Sequence, residues 1–220
     1  MLLLTYTEEN YLKAIYSIQH SSESGEVSVN EIAERMSTKP ATVTDMLRKL
    51  SEKQLIHYEK YKKVQLSESG SREALSVLRK HRLWETFLHN KLMFTWDEVH
   101  EVAEQLEHIQ STKLVERLDE FLGFPDFDPH GDPIPKSNGD LPVSTARLLS
   151  DVAPGTMIKI VGVKDTSTAF LQQLERYNLQ IGSKLLLTER MAYDNSVVLK
   201  DDQENSFQLS DKIAYNLLVV

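Results

Sequence analysis

Two imidazoles and two carboxylates lie at positions 100, 104, 107 and 108, a spacing of i, i+4, i+7 and i+8. On a helix turning about 100° per residue, His100, Glu104, Glu107 and His108 fall in one sector about 100° wide. Val99, Val102, Ala103, Leu106 and Ile109 fall opposite them. The segment from Asp97 to Gln110 therefore reads as a helix with one apolar face and one face of cation ligands. His81 and Glu85 form a second pair at i, i+4 within Lys80-His81-Arg82-Leu83-Trp84-Glu85. A lone helical His-x-x-x-Glu is ordinarily a surface contact. Two helices that each offer His and Glu are instead a recurrent way to build a divalent metal site in a helical core. The competing reading is an acidic solvated helix with incidental histidines. The chain has no cysteine, which excludes thiolate nucleophiles, disulfides and zinc-finger sites. Imidazole and carboxylate without thiolate suit Mn(II) or Fe(II), not Cu(I).

A different chemistry precedes these residues. From Lys39 to Lys63, seven Lys/Arg face three acids, whereas from Asp97 to Asp128 ten acids face only Lys113 and Arg117. The overall charge of −8 argues against a general nucleic-acid coat, but the local asymmetry separates a basic front from an acidic middle. The basic residues fall on two elements. Pro40 to Leu50 reads as a helix with Pro40 in its first turn and a buried stripe of Val43, Met46, Leu47 and Leu50. Its exposed candidates are Lys39, Thr42, Thr44, Asp45, Arg48 and Lys49. Leu55 to Glu59 and Lys63 to Leu66 alternate like a hairpin, with Lys60, Lys62 and Lys63 at or beside its tip.

The elements that must position these groups follow from periodicity. Thr7 to Ile18 is a helix with Glu8 and Glu9 in its first turn. Ser21 to Gly25 is a break. Asn30 to Met36 is a second helix, capped by Asn30 or Ser28. Helix, helix, short turn, helix and basic hairpin make a winged helix-turn-helix, in which short polar and basic side chains read the major groove and the hairpin reaches phosphate. A long helix follows, from about Ser71 to Met93. Pro125 to Pro142 holds five of the seven prolines and reads as a linker or extended loop. Beyond Val143 the chain turns β-rich. Strands are expected at Thr156 to Val161, Lys184 to Glu189, Ser196 to Leu199, Phe207 to Leu209 and Ala214 to Val220, with a helix around Thr168 to Tyr177. The domains expected are 1–70, a winged helix-turn-helix; 71–142, a helical dimerisation and metal domain with the proline-rich linker; and 143–220, a small SH3-like (FeoA-type) β domain. No stretch approaches the roughly 20 apolar residues of a membrane span. Met1-Leu2-Leu3-Leu4 is too short for a signal core. A cytoplasmic location is expected.

Several segments in order resemble the diphtheria toxin repressor family of iron- and manganese-dependent transcriptional regulators. They are Thr7-Glu8-Glu9-Asn10-Tyr11-Leu12-Lys13-Ala14-Ile15-Tyr16, Val43-Thr44-Asp45-Met46-Leu47, Leu66-Ser67-Glu68-Ser69-Gly70, Arg79-Lys80-His81-Arg82-Leu83-Trp84-Glu85, Glu104-Gln105-Leu106-Glu107-His108 and Pro129-His130-Gly131-Asp132-Pro133-Ile134-Pro135. The resemblance covers essentially the whole chain. It implies a homodimeric repressor that binds double-stranded operator DNA near metal-uptake genes, with Mn(II) or Fe(II) as co-repressor. It implies one metal site from Asn10, Glu104, Glu107 and His108, and a second from His81, Glu85 and His100, with Asp165 a candidate ligand from the barrel. Iron-type members carry Met on the first helix and Cys on the metal helix, where this chain has Asn10 and Glu104. Manganese-type members carry Asp in place of Asn10, and the short ones, which lack the barrel, carry Glu in place of Lys13. The carboxylates thus look manganese-like and the three-part architecture iron-like. Two rivals are a helical di-metal enzyme, which leaves the basic hairpin without a role, and a winged-helix regulator switched by a non-metal ligand.

Overall fold

A computed structural model describes residues 4–21, 25–59 and 63–220. Most of the Ser-rich break, and the hairpin tip with Lys60 and Lys62, lie outside the described residues. The chain divides into two compact units. The first comprises Met1–His81, Glu104–Thr112 and Pro135–Asp140; the second comprises Arg82–Ala103, Lys113–Ile134 and Leu141–Val220.

The first unit begins with α1 (Tyr6–Ser21), α2 (Val29–Arg35) and α3 (Pro40–Glu52). Ser28, one of the two expected caps, closes the start of α2 reciprocally. Its hydroxyl accepts from the Glu31 backbone N–H, and its own N–H donates to the Glu31 carboxylate. Pro40 opens α3, where a missing N–H costs nothing. The hairpin pairs β1 (Ile56–His57) with β2 (Gln65–Leu66), and Val64 adds a bridge to Val27. Leu12, Ile15, Ile32, Leu47 and Leu50 are fully buried in one cluster. Each such side chain stabilises the unit by about 1.5–3 kcal/mol. Helix α4 (Glu68–Leu92) starts three residues earlier than its apolar pattern suggests. Gly70 permits this, since a Cβ there would lie 1.9 Å from the Leu55 carbonyl oxygen.

In the second unit, α4 continues and is followed by α5 (Val99–Leu106), whose residues from Glu104 onward are counted with the first unit, and by α6 (Thr112–Phe121). Leu83, Leu118 and Ile134 form a small apolar cluster there. The carboxy-terminal part is a six-stranded antiparallel sheet in the order β3-β8-β4-β5-β6-β7. Its strands are β3 (Arg147–Leu148), β4 (Thr156–Val163), β5 (Lys184–Arg190), β6 (Val197–Lys200), β7 (Ser206–Leu209) and β8 (Leu217–Val219), with α7 (Thr168–Arg176) and α8 (Asp211–Asn216) between them.

Three sequence expectations need correction. The helix expected from Asp97 to Gln110 ends at Leu106. Glu107 and His108 follow it in a turn, drawn by ion pairs described below. The strand expected from Ala214 to Val220 is strand only from Leu217, because Ser210 caps α8 by accepting from the Ile213 N–H, with Asp211 in the first turn. The proline-rich segment has no helix or long strand, but it is not a free linker. Asp128, Pro129, His130, Ile134 and Pro135 are buried, and in the second unit Val163 N–H donates to the His130 carbonyl at 2.8 Å.

Candidate metal centre and nucleic-acid face

In the first unit, Glu9 and Lys13 of α1 contact His108 and Glu107 in the turn after α5. Glu107 is almost wholly buried. Its two oxygens accept from Lys13 Nζ at 2.6 and 2.8 Å, and His81 Nδ1 lies 2.6 Å from Oε2. Burial alone would raise the Glu107 pKa, but His81 and Lys13 outweigh it and hold the carboxyl below its usual range. His108 Nδ1 lies 2.5 Å from Glu9 Oε2, and its ring stacks on Tyr6 at 4.6 Å. Glu9 also accepts from Gln110 and lies 3.7 Å from Lys80 Nζ. With Nδ1 committed to Glu9, the other nitrogen of His108 faces Glu107 at 3.7 Å. Glu104 is half exposed, 3.7 Å from Lys13 Nζ. The buried Oδ1 of Asn10 makes no hydrogen bond. A buried acceptor without a donor is costly, and a cation would satisfy it.

In the second unit, Glu85 is the hub. One oxygen lies 3.2 Å from His100 Nδ1 and the other 3.8 Å from His130 Nδ1. Glu85, Asp128 and His130 are all buried and offer ligand atoms within 4.8 Å of one another. Asp128 Oδ1 accepts from the backbone N–H groups of His130 and Asp132, which fixes the loop. Its Oδ2 makes no hydrogen bond and lies 3.6 Å from Arg82 Nε. Burial, then repulsion from Glu85 and Asp132, pushes the Asp128 carboxyl up to about 7. Burial would lower His130, but Glu85 and Asp128 overcome it and raise the ring to about 9. Three ionisable groups buried together are poorly compensated by one another. The oxygen-rich donor set, with an unsatisfied carboxylate oxygen, fits a hard divalent cation.

The expected ligands fall in both units. Asn10, Glu104, Glu107 and His108 belong to the first unit, and His81 faces Glu107 there. Glu85 and His100 belong to the second. Asp165 is half buried and accepts from the Ser167 N–H at 2.9 Å. Glu9, Asp128 and His130 were absent from the ligand sets read from sequence. The only local signal for the last two is an Asp-x-His spacing inside a Pro/Gly-rich loop.

The face expected to meet DNA is laid out on α3. Lys39, Thr42, Asp45, Arg48 and Lys49 are exposed, and Arg48 pairs with Asp45 at 3.3 Å. Thr44 is half buried and donates its hydroxyl to the Pro40 carbonyl. Lys63 is exposed and lies 3.7 Å from Glu26.

Known proteins resemble this chain along its length. The family described as "Iron dependent repressor, N-terminal DNA binding domain" matches residues 3–64, "Iron dependent repressor, metal binding and dimerisation domain" matches 67–136, and "FeoA domain" matches 147–220. A solved structure described as a manganese-dependent transcriptional repressor in complex with manganese is 36% identical, with a TM-score of 0.85 over 97% of this chain and 99% of that one. The chain belongs to the diphtheria toxin repressor family. The diphtheria toxin repressor of Corynebacterium diphtheriae is 26% identical over 98% of this chain and 97% of its own length. The iron-dependent repressor IdeR of Mycobacterium bovis is 34% identical over 60% of this chain, and the match spans 56% of that relative. These relatives are described as repressors. Among the described residues, no helix is long and apolar enough to cross a membrane.

Proposed function

We propose that this chain is a metal-dependent DNA-binding repressor of metal-uptake genes, with Mn(II) or Fe(II) as co-repressor, acting in the cytoplasm as a homodimer on double-stranded operator DNA. The observation that carries the reading is the buried Glu85–Asp128–His130 cluster, whose Asp128 Oδ2 makes no hydrogen bond. Asn10, Glu104, Glu107 and His108 are proposed as one ligand set. His81, Glu85 and His100 are proposed as the other, on the family resemblance, with Asp128 and His130 added from their contacts with Glu85 and Asp165 kept as a further candidate.

A bound divalent cation would supply a fixed double positive charge at these carboxylates. The chain's own residues convert that charge into geometry. Asn10 sits on α1, whose Tyr11, Leu12 and Ile15 share one apolar cluster with Val43, Leu47 and Leu50 of α3, so a ligand bond to Asn10 would restrain the helix-turn-helix against the turn of Glu107 and His108. Lys39, Thr42, Thr44, Asp45, Arg48 and Lys49 on α3, with Lys60, Lys62 and Lys63 of the hairpin, are the proposed DNA contacts. In a two-fold dimer, two such helices reach successive major-groove turns about 34 Å apart. Coupling of about 1–3 kcal/mol between cation and operator is sufficient for a switch.

The test is operator binding titrated against Mn(II), Fe(II) and Zn(II) without oxygen, on DNA selected by the protein from a random pool. Affinity that rises with Mn(II) or Fe(II), and loses that response in Glu107→Ala and Glu85→Ala, supports the reading. Operator affinity indifferent to every cation overturns it.

A further inference from the structure

Trp96 sits outside every ligand set, in the connection between α4 and α5, yet it is only 6% exposed. It belongs to the same buried apolar cluster as Leu149, Val163, Phe170, Leu171 and Leu174 of the carboxy-terminal sheet and α7. Its neighbours fasten the connection further. Thr95 N–H donates to Glu98, and Thr95 Oγ1 donates to Asp97 Oδ1 at 2.6 Å. Asp97 Oδ2 accepts from Gln172 of α7 at 3.2 Å. The indole is thus a plug in the sheet domain's core, and the backbone around it has little freedom.

The Trp96 carbonyl oxygen lies 3.1 Å from His130 Nε2. A carbonyl oxygen only accepts, so Nε2 must carry the hydrogen. The lone pair of the neutral ring is then at Nδ1, the atom that faces Glu85 Oε2. A second restraint acts on the same residue: Val163 of β4 donates its N–H to the His130 carbonyl at 2.8 Å. The sheet domain therefore grips His130 twice, by its backbone from β4 and by its ring from Trp96.

We propose that Trp96 is a positioning residue for the Glu85–Asp128–His130 cluster: its indole, anchored in the sheet core, holds its carbonyl against His130 Nε2 and so selects Nδ1 as the nitrogen offered to a divalent cation. The proposal rests on the reading above that this cluster takes such a cation. It makes cation affinity at this cluster depend on the packing of the carboxy-terminal domain. Partners that orient a ligand imidazole are typically worth about 10–100-fold in metal affinity.

The experiment uses the full chain with three substitutions, Trp96→Phe, Trp96→Leu and Trp96→Ala, in a Glu107→Ala background that isolates this cluster. Mn(II) affinity is read by the free-ion paramagnetic resonance signal. The His130 tautomer is read by long-range proton–nitrogen correlation in 15N-histidine protein loaded with diamagnetic Zn(II). The parent and Trp96→Phe should show Nε2 protonated and bind Mn(II) within about twofold of each other, whereas Trp96→Ala should lose about tenfold or more and no longer hold a single Nε2–H form. If Trp96→Ala fails to fold, Trp96→Leu decides by the same two readouts. Parent-like Mn(II) affinity with the Nε2–H form retained, in whichever of the two folds, overturns the proposal. Glu85→Ala in the same background separates the two ideas: if it leaves Mn(II) binding intact, the cation site itself is misassigned.

Discussion

The ammonium of Lys13 already does electrostatically part of what a cation would do. It contacts both oxygens of Glu107 and approaches Glu104, so a divalent ion drawn to these carboxylates meets a like charge beside them. At about 4 Å the repulsion between a divalent ion and an ammonium is roughly 2 kcal/mol in water and about 8 kcal/mol at the effective dielectric of a protein surface, before screening and rearrangement of the lysine reduce it. Lys13→Gln should therefore bind Mn(II) about tenfold more tightly, as measured by calorimetric titration; equal or weaker binding would mean that Lys13 supports the site and does not compete with it. One turn away, Glu8 is tied to Lys53 Nζ at 2.6 Å and to Thr5. Burial would raise the Glu8 carboxyl, but Lys53 and Thr5 pull it below its usual value of 4.5. A lowered folded pKa gives stability that is present above the ordinary glutamate range and vanishes as pH falls through the folded value. Glu8→Gln should cost about 1 kcal/mol at pH 7, discounted for the partial exposure of Lys53. The difference from the parent should shrink progressively as pH falls below the ordinary glutamate range in urea unfolding. A gap that persists undiminished in acid would assign it to packing.

Elements differ in how plainly the sequence announces them. The helix-turn-helix was legible because its signals are local: Ser28 with Glu31, Pro40, and the stripe of Val43, Leu47 and Leu50. The imidazoles and carboxylates at positions 81, 85, 100, 104, 107 and 108 stood out as ligand candidates for the same reason. The end of α5 was not, since periodicity carries on smoothly past Leu106, whereas Lys13, His81 and Glu9 pull Glu107 and His108 out of helical register. Asp128 and His130 escaped because they sit in a loop without period, and Glu85, which gives them meaning, is far away in sequence. That loop depends on a close approach to the sheet. Gly131 has φ of +87°, and a Cβ there would lie 2.2 Å from the Val161 carbonyl oxygen and 2.4 Å from Gly162 Cα. Both backbones belong to packed structure, so neither yields cheaply. Gly131→Ala should destabilise the carboxy-terminal domain by about 2–3 kcal/mol, from left-handed strain plus overpacking. Thermal unfolding would show it as a lower midpoint, and Mn(II) binding at Glu85 should weaken alongside. A parent-like midpoint would show that the loop does not need this contact.

At the scale of the whole molecule, the proposed operator binding requires a chain of net charge −8 to meet a polyanion through one basic face. Its long-range field opposes approach to DNA, so affinity has to come from short-range contacts between phosphate and the seven Lys/Arg of residues 39–63. Each neutralised phosphate releases counterions, and log affinity falls against log salt with a slope of about −0.9 per contact. Lys49 is exposed on α3, and its charge is not among those paired with Asp45. If it meets a phosphate in each half of a dimer, Lys49→Ala removes about two contacts and flattens the slope by roughly 1.8, with similar losses on cognate and unrelated sequences. Arg48 should behave differently, because its pairing with Asp45 already offsets part of its charge: Arg48→Ala should change the slope less than Lys49→Ala does. Fluorescence anisotropy of labelled operator between about 50 and 200 mM salt, at saturating Mn(II), reads both slopes. An unchanged slope for Lys49→Ala would take that face of α3 off the phosphate backbone. The reading head would then have to dock through the hairpin alone.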